Sequence, residues 1–295
     1  MRLDAHQHFW RYTPTRLPWI TPQMACLQRD FQPNDLMPLL DDQAMIGSIA
    51  VQACGDDAEN AALLAHARTC ERILAVVGWL DPRTSDLTAR LDTLGVQPKV
   101  RGFRHQIQDE PDPAAYLAEP AVRAGIKRIH QHGYVFDVLV HGGDLDAAAD
   151  CCRACDDHLL VLDHLGKPAI GADGFKAWRT SLEAFRDLDH VAAKLSGLVT
   201  EADWRCWTPV QLKPYLDAAF EIFGPARLMF GSDWPVCTLA ADYGEVCALI
   251  DDYVAALSAA EREHVFADTA RRVYDFDIPA PLREGVDATT QEIIK

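Results

Sequence analysis

The residues most able to do chemistry begin at the N-terminus, where the chain reads Asp4-Ala5-His6-Gln7-His8. On a strand, alternate side chains share a face, so His6 and His8 project together. Two imidazoles side by side suit a borderline metal such as zinc. Alone the pair is a weak signal, because two unrelated polar residues at a strand end have the same spelling. The pattern gains weight from three later places. Val138-Leu139-Val140-His141, Leu160-Val161-Leu162-Asp163-His164 and Leu228-Met229-Phe230-Gly231-Ser232-Asp233 each carry an apolar run into a histidine or an aspartate. One histidine after an apolar run is ordinarily a satisfied core residue. Four compatible groups at four run ends point instead to a site holding a divalent ion or a water, with Asp233 taking the proton. Gly231 and Ser232 allow a tight turn that would hold Asp233 at the end of its strand.

Eight short apolar runs can position these groups: Arg2–His6, Ile46–Ala53, Ile73–Leu80, Val100–Arg104, Val135–His141, Leu159–His164, Val191–Ser196 and Arg227–Gly231. Several are Val, Ile and Leu runs without strict alternation, as expected of strands buried on both faces. Helix-like stretches lie between them at Asp57–Arg72, Ser85–Leu94, Asp144–Cys155, Val210–Phe223 and Gly244–Leu257. Asn34-Asp35 and Thr84-Ser85-Asp86 are helix-start signals. Strand-then-helix alternation requires parallel pairing, and eight units close into an α/β (β/α)8 TIM barrel. A doubly wound open sheet would want a glycine-rich turn after the first strand, where this chain has His-Gln-His. The expected organisation is one barrel over residues 1–278 and a C-terminal tail over 279–295. The loop from Phe9 to Asp30 follows the first strand and should lie over the active face.

Composition narrows the partners. A net charge of −16 over 295 residues argues against nucleic acid and against an anionic membrane surface. No apolar run reaches the ~18 residues of a membrane span, and MRLDAHQHFW lacks the apolar stretch of a signal peptide. The nine cysteines are odd in number, so reduced thiols and a cytoplasmic location are expected. Cys152-Arg-Ala-Cys155 has redox spacing, but it has no matching second pair. A homo-oligomer is compatible with the sequence.

Five motifs carry a family resemblance: Asp4-Ala-His6-Gln-His8-Phe9-Trp10, Gly102-Phe103-Arg104-His105, Leu162-Asp163-His164-Leu165-Gly166-Lys167-Pro168, Lys194-Leu195-Ser196-Gly197-Leu198 and Phe230-Gly231-Ser232-Asp233-Trp234-Pro235. The chain resembles the amidohydrolase-2 family of the amidohydrolase superfamily, in particular its branch of sugar-lactone and dicarboxylate-lactone hydrolases. Within that branch it looks closest to the L-fuconolactone hydrolases of bacterial L-fucose breakdown. The resemblance implies a (β/α)8 hydrolase acting on a small sugar lactone. It implies His6, His8, His141 and Asp233 as the metal set, His164 as the residue that orients water or polarises a carbonyl, and Asp233 as the proton acceptor. One departure matters. Binuclear relatives end the fourth strand in a carboxylated Lys or a Glu that bridges two metals, whereas this chain has Arg104, which cannot bridge cations. One divalent ion at most is expected, zinc first, or none, since some lactonases of the branch work without metal.

Arg104 could hydrogen-bond a lactone carbonyl, hydroxyl or carboxylate, with an ion pair to a neighbouring acid as the competing role. Trp10, His105 and Trp234 are candidate pocket walls, packing being the alternative for each. Lys194 needs a buried partner, with Asp163 and Asp233 both in reach of that role. Two other functions stay open: a metal-dependent decarboxylase, which would want a second cation near Arg104, and a non-catalytic sugar-binding barrel.

Overall fold

The structure is a computed structural model that describes residues 1–171 and 174–282. Eight strands, β1 Asp4–Gln7, β2 Ser48–Val51, β3 Ile73–Trp79, β4 Val100–His105, β5 Val135–Val138, β6 Leu160–Leu162, β7 Val191–Leu195 and β8 Leu228–Phe230, lie in chain order in one sheet. Every neighbouring pair is parallel. The ring is drawn shut by residues just past β8: Asp233 N–H donates to the His6 carbonyl at 2.8 Å, and His8 N–H to the Trp234 carbonyl at 2.7 Å. Each expected strand has its counterpart, and the fold is the (β/α)8 barrel.

Side-chain parity builds two layers of core. Val77, Val135, Val161, Ala192 and Met229 belong to the cluster inside the barrel, and Val76, Phe103, Phe136, Leu162 and Leu195 to the one under the helices. The inner cluster is completed by the helix Thr269–Tyr274, whose Tyr274 reaches the interior. β1 breaks the simple alternation. Asp4 pairs with Ser48 and Gln7 with Ala50, so three steps of β1 span two of β2. Such an extra residue bends a strand and re-aims its side chains. Asp4 therefore accepts from the hydroxyl of Tyr243, on the outer helix Tyr243–Val254, while His6 turns inward.

The expected helices appear with shifted ends. Pro33–Asp42, Pro120–Gln131, Phe175–Leu182 and Thr269–Tyr274 are additional helices. Pro120–Gln131 carried a readable signal: proline in its first turn and buried Val122, Ile126 and Ile129 at helical spacing. Of the expected tail, residues 283–295 lie outside the described residues, and Ile278 is buried in the inner cluster. Among the described residues no helix is long and apolar enough to cross a membrane. All nine cysteines are free thiols.

Candidate active site

Closure of the barrel brings three of the expected residues together at its C-terminal mouth. His6 Nε2 lies 3.2 Å from His8 Nε2. Asp233 Oδ1 lies 3.3 Å from His8 Nε2 and 3.8 Å from His6 Nε2. The seam itself sets this geometry, because the backbones of His6 and Asp233 are hydrogen-bonded to each other. Asp233 adopts a left-handed backbone at φ 57°, which aspartate tolerates better than most residues. His164 packs edge-on against His6, with ring centroids 4.5 Å apart, and its Nδ1 is 2.8 Å from Ser196 Oγ.

Beneath the mouth the barrel holds a buried stack of alternating acidic and basic side chains, whose top member, Arg104, borders the cavity. Tyr274 donates to Asp137 at 2.7 Å, and Lys194 joins Asp137 at 2.6 Å to Asp163 at 3.0 Å. Asp163 accepts from Arg104 at 2.7 Å, and Arg104 Nη2 donates to the Gln52 carbonyl at 2.5 Å. Lys194 thus has Asp163 as a partner, one of the two acids considered, together with Asp137, which sequence reading passed over. A carboxylate inside the apolar run Val135-Phe136-Asp137-Val138 was the available clue, since a buried charge demands a partner.

These neighbours set the charge states. Burial drives His164 down to about 4, against the pull of Asp233 and Asp163. Burial and the Lys194 ammonium also hold His6 well below the usual histidine range. Both imidazoles are therefore neutral at pH 7. Burial disfavours the Asp233 anion, but the neighbouring His164, His8 and His6 rings outweigh it, holding the carboxyl well below its ordinary range. Asp163 is likewise held low, the Lys194, His6 and Arg104 partners overcoming burial. Burial pushes Asp137 up to about 6, with Lys194 pulling the other way.

The donor set fits one metal ion. Zinc bonded tetrahedrally at ~2.0–2.1 Å needs ligand atoms roughly 3.3–3.4 Å apart, and the three separations bracket that edge. His8 Nδ1 lies 2.8 Å from the Val51 carbonyl. A carbonyl only accepts, so Nδ1 carries the hydrogen and Nε2 is free to ligate. His6 is the decisive residue. Lys194 Nζ stands 3.1 Å from its Nδ1 and Arg104 Nη1 stands 3.3 Å from its Nε2. Both cations only donate, while a neutral imidazole has one lone pair, so only one of them can be accepted. With hydrogen on Nε2, His6 accepts from Lys194 and donates to His8. With hydrogen on Nδ1, it faces Asp163 Oδ1 at 3.4 Å, an oxygen that also meets the Lys194 ammonium at 3.0 Å, and Nε2 is free for a metal. A second candidate group, His6, Asp163 and His164, shares His6 and has its carboxylate already committed to Lys194 and Arg104.

The remaining expected residues lie elsewhere. His141 is exposed and belongs to neither candidate metal group. It follows β5, just before the short turn Gly142–Asp144. His105 turns to the outer face of β4, bonds Glu110 at 2.7 Å and stacks on Tyr116, as its parity opposite to Arg104 requires. Trp10 donates to the Arg29 carbonyl and packs on Trp19 and Phe31. Trp234 packs on Phe9 and Phe31. Neither tryptophan lines the mouth. The cavity there, about 100 Å³, is bounded by His8, Arg104, His164 and Asp233 and also by Trp19, Ala53, Gln106, Gln108, Asp109, Leu139, Lys167 and Val236. Trp19 comes from the Phe9–Asp30 loop, which does lie over the active face as expected. A second hollow of about 510 Å³ shares Trp19, Ala53, Gln106 and Asp109 with it and is also lined by His105 and Glu110.

Lys167 was readable as part of a motif but received no role. It ends a run in which His164, Leu165, Gly166 and Lys167 all have positive φ, at 52°, 52°, 67° and 43°. Left-handed backbone costs about 1–2 kcal/mol per non-glycine residue, and such outliers cluster at functional sites.

Comparisons with known proteins identify the family. The amidohydrolase family profile matches residues 3–276. The chain is 45% identical to an L-fucono-1,5-lactonase of Burkholderia multivorans over 96% of this chain and 99% of the relative. It is 33% identical to an L-fucono-1,5-lactonase of Burkholderia ambifaria over 95% of this chain and 97% of the relative. A crystal structure of a Burkholderia multivorans amidohydrolase with bound zinc superposes with a TM-score of 0.91 at 45% identity, covering 94% of this chain and all of that one. With its profile spanning nearly the whole barrel and its strand-end residues gathered at one mouth, the chain belongs to the amidohydrolase family.

Proposed function

We propose that this protein hydrolyses a sugar lactone, L-fucono-1,5-lactone or a closely related aldonolactone, to the sugar acid. The observation that carries the reading is the 45% identity to an L-fucono-1,5-lactonase along almost the full length of both chains. The site supports it: a carboxylate faces imidazoles in a small cavity walled largely by polar groups. In this reading a water sits between Asp233 and the carbonyl carbon of the lactone. Asp233 takes a proton as the water oxygen bonds to that carbon, and the carbonyl oxygen becomes an oxyanion. The ring C–O bond then breaks, and Asp233 returns the proton to the departing alkoxide. The new carboxylic acid releases its own proton to solvent. His164, held by Ser196, polarises the carbonyl.

The residues that would hold a metal are His6, His8 and Asp233, and His141 is set aside. A single zinc ion there would supply Lewis acidity and lower the pKa of a bound water. His6 carries either assignment through its two hydrogen placements. The purified protein should bind no more than one divalent ion per chain by elemental analysis, and two ions would contradict the site.

A decarboxylase would want a second cation near Arg104, and Lys167 supplies one in the cavity wall. A lactonase also ends with a carboxylate, so that cation serves both, and the relatives favour the lactonase. The test is a panel of lactones assayed with a pH indicator. Acid release from L-fucono-1,5-lactone is expected. Release of carbon dioxide from carboxylated substrates without lactone turnover would replace the reading with a decarboxylase. Sugar binding without any turnover would replace it with a binding protein.

A further inference from the structure

The cavity holds two cationic side chains, Arg104 and Lys167, and they are differently placed to meet a ligand. Arg104 is almost wholly buried, and both of its terminal nitrogens are engaged: one with Asp163 and His6, the other with the Gln52 carbonyl. An incoming oxygen would have to compete with a buried carboxylate for it. Lys167 is the reverse case. Among the described residues its ammonium makes no hydrogen bond and no ion pair within 4 Å, although it lines the cavity beside His164 and Asp233. Its charge is felt by Glu201, His141 and His164, without direct pairing.

Its backbone is held firmly in place. Lys167 N–H donates to the His164 carbonyl at 2.9 Å, and its own carbonyl accepts from Gly142 at 3.3 Å. The left-handed run from His164 thus delivers two neighbouring side chains to one cavity, the imidazole at its start and the ammonium at its end. Gly197 makes room for this run, since a Cβ there would stand 2.7 Å from His164 Nδ1. A lysine on a fixed backbone keeps a flexible stem and three donors, so it can follow an oxygen as the carbon goes from planar to tetrahedral.

We propose that Lys167 is the anion-binding residue of the cavity: its ammonium receives the lactone carbonyl oxygen as negative charge develops on it, then holds the carboxylate of the sugar acid before release. The identity of the ligand rests on the lactonase reading above. Water supplies the oxygen and the ring C–O bond is the one broken, so Lys167 contributes charge and hydrogen bonding and exchanges no atom.

Two variants and two ligands test this. Lys167→Met keeps the length and removes the charge, while Lys167→Arg keeps the charge. The ligands are L-fuconate and neutral cyclic L-fucose, titrated calorimetrically, with steady-state hydrolysis measured alongside. Lys167→Met should weaken L-fuconate roughly tenfold or more, leave L-fucose binding within about twofold, and lower kcat/KM by about 10²-fold. Lys167→Arg should recover most of the L-fuconate affinity. Wild-type L-fuconate affinity in Lys167→Met overturns the proposal, as does equal loss of both ligands, which would mark a structural role. If the wild type hydrolyses no lactone yet binds an aldonate in a Lys167-dependent way, the lactonase reading fails and the anion site stands. If the wild type binds no member of an aldonate panel headed by L-fuconate, the anion site is wrong.

Discussion

The mouth of the barrel and the layer beneath it are built from the same residue types and put them to opposite use. Both contain aspartates that are almost fully buried, and both have nitrogen bases within 4 Å of them. Below, Asp137 and Asp163 are paired with the side-chain nitrogens of Lys194 and Arg104, and of these four groups only Arg104 reaches the cavity. At the mouth, Asp233 meets imidazoles, of which burial holds His6 and His164 below the usual histidine range, and its carboxylate borders the cavity. A carboxylate paired with cations inside the barrel serves the fold, whereas one held rigidly at a cavity wall is placed where it could accept a proton or bind a metal. Histidine in place of lysine, one layer up, separates the two roles.

The sharpest way to break this comparison is Asp233→Asn. The amide keeps the shape and removes the base, so kcat for lactone hydrolysis should fall on the order of 10²-fold to 10⁴-fold, with lactone binding retained and the melting temperature little changed. Steady-state kinetics beside a binding titration would show it. Near wild-type turnover would transfer the role to His164.

Lys194→Met attacks the lower layer. It leaves Asp137 and Asp163 buried without their shared cation, and breaking such a pair costs about 3–5 kcal/mol. Urea unfolding should register that loss of stability. A variant as stable as wild type would mean that the stack contributes nothing to the fold.

The next effect is smaller and is read through pH. Burial, opposed by hydrogen bonds from Ser232, His6 and Tyr243, raises Asp4 to about 6 from its ordinary 3.8. The folded state therefore binds the Asp4 proton more tightly than the unfolded chain does. This contribution to stability is fully present below pH ~4 and is lost as pH rises through about 6, amounting to roughly 3 kcal/mol at most. Asp163 and Asp233 work in the opposite direction, so the net curve alone is ambiguous. Asp4→Asn isolates the term: measured by denaturation, its stability relative to wild type should improve between pH 4 and pH 7. A constant difference across that range would remove Asp4 from the account.

The smallest expected change is His105→Ala, which should leave kcat/KM within about threefold, because the ring bonds Glu110 and stacks on Tyr116 outside the mouth. A hundredfold loss would place His105 in contact with substrate and undo the inward–outward assignment along β4.

How much of this was legible follows the range of the interactions involved. Apolar runs alternating with amphipathic stretches are local, so the eight strands and the barrel were readable from the chain. So were His6, His8, His164 and Asp233, because strand ends in a barrel converge on one face whatever the loops do. The sequence also argued against the bridging carboxylate of a two-metal site, since the family resemblance places Arg104 at that position. What it could not decide is which polar residues meet across the barrel. Asp137 with Lys194, Arg104 with Asp163, and Tyr274 with Asp137 are separated by 57, 59 and 137 residues. Those pairings depend on strand register, on the extra residue in β1 that turns His6 in and Asp4 out, and on one helix rising into the barrel floor. The same holds for His141 and His105, which stand at strand ends like the triad but outside it, as rim position and parity decide. Lys167 was in plain view within its motif. Only the tertiary structure could single it out, because a side chain's freedom to bind is set by the partners it lacks, and those partners lie far away along the chain.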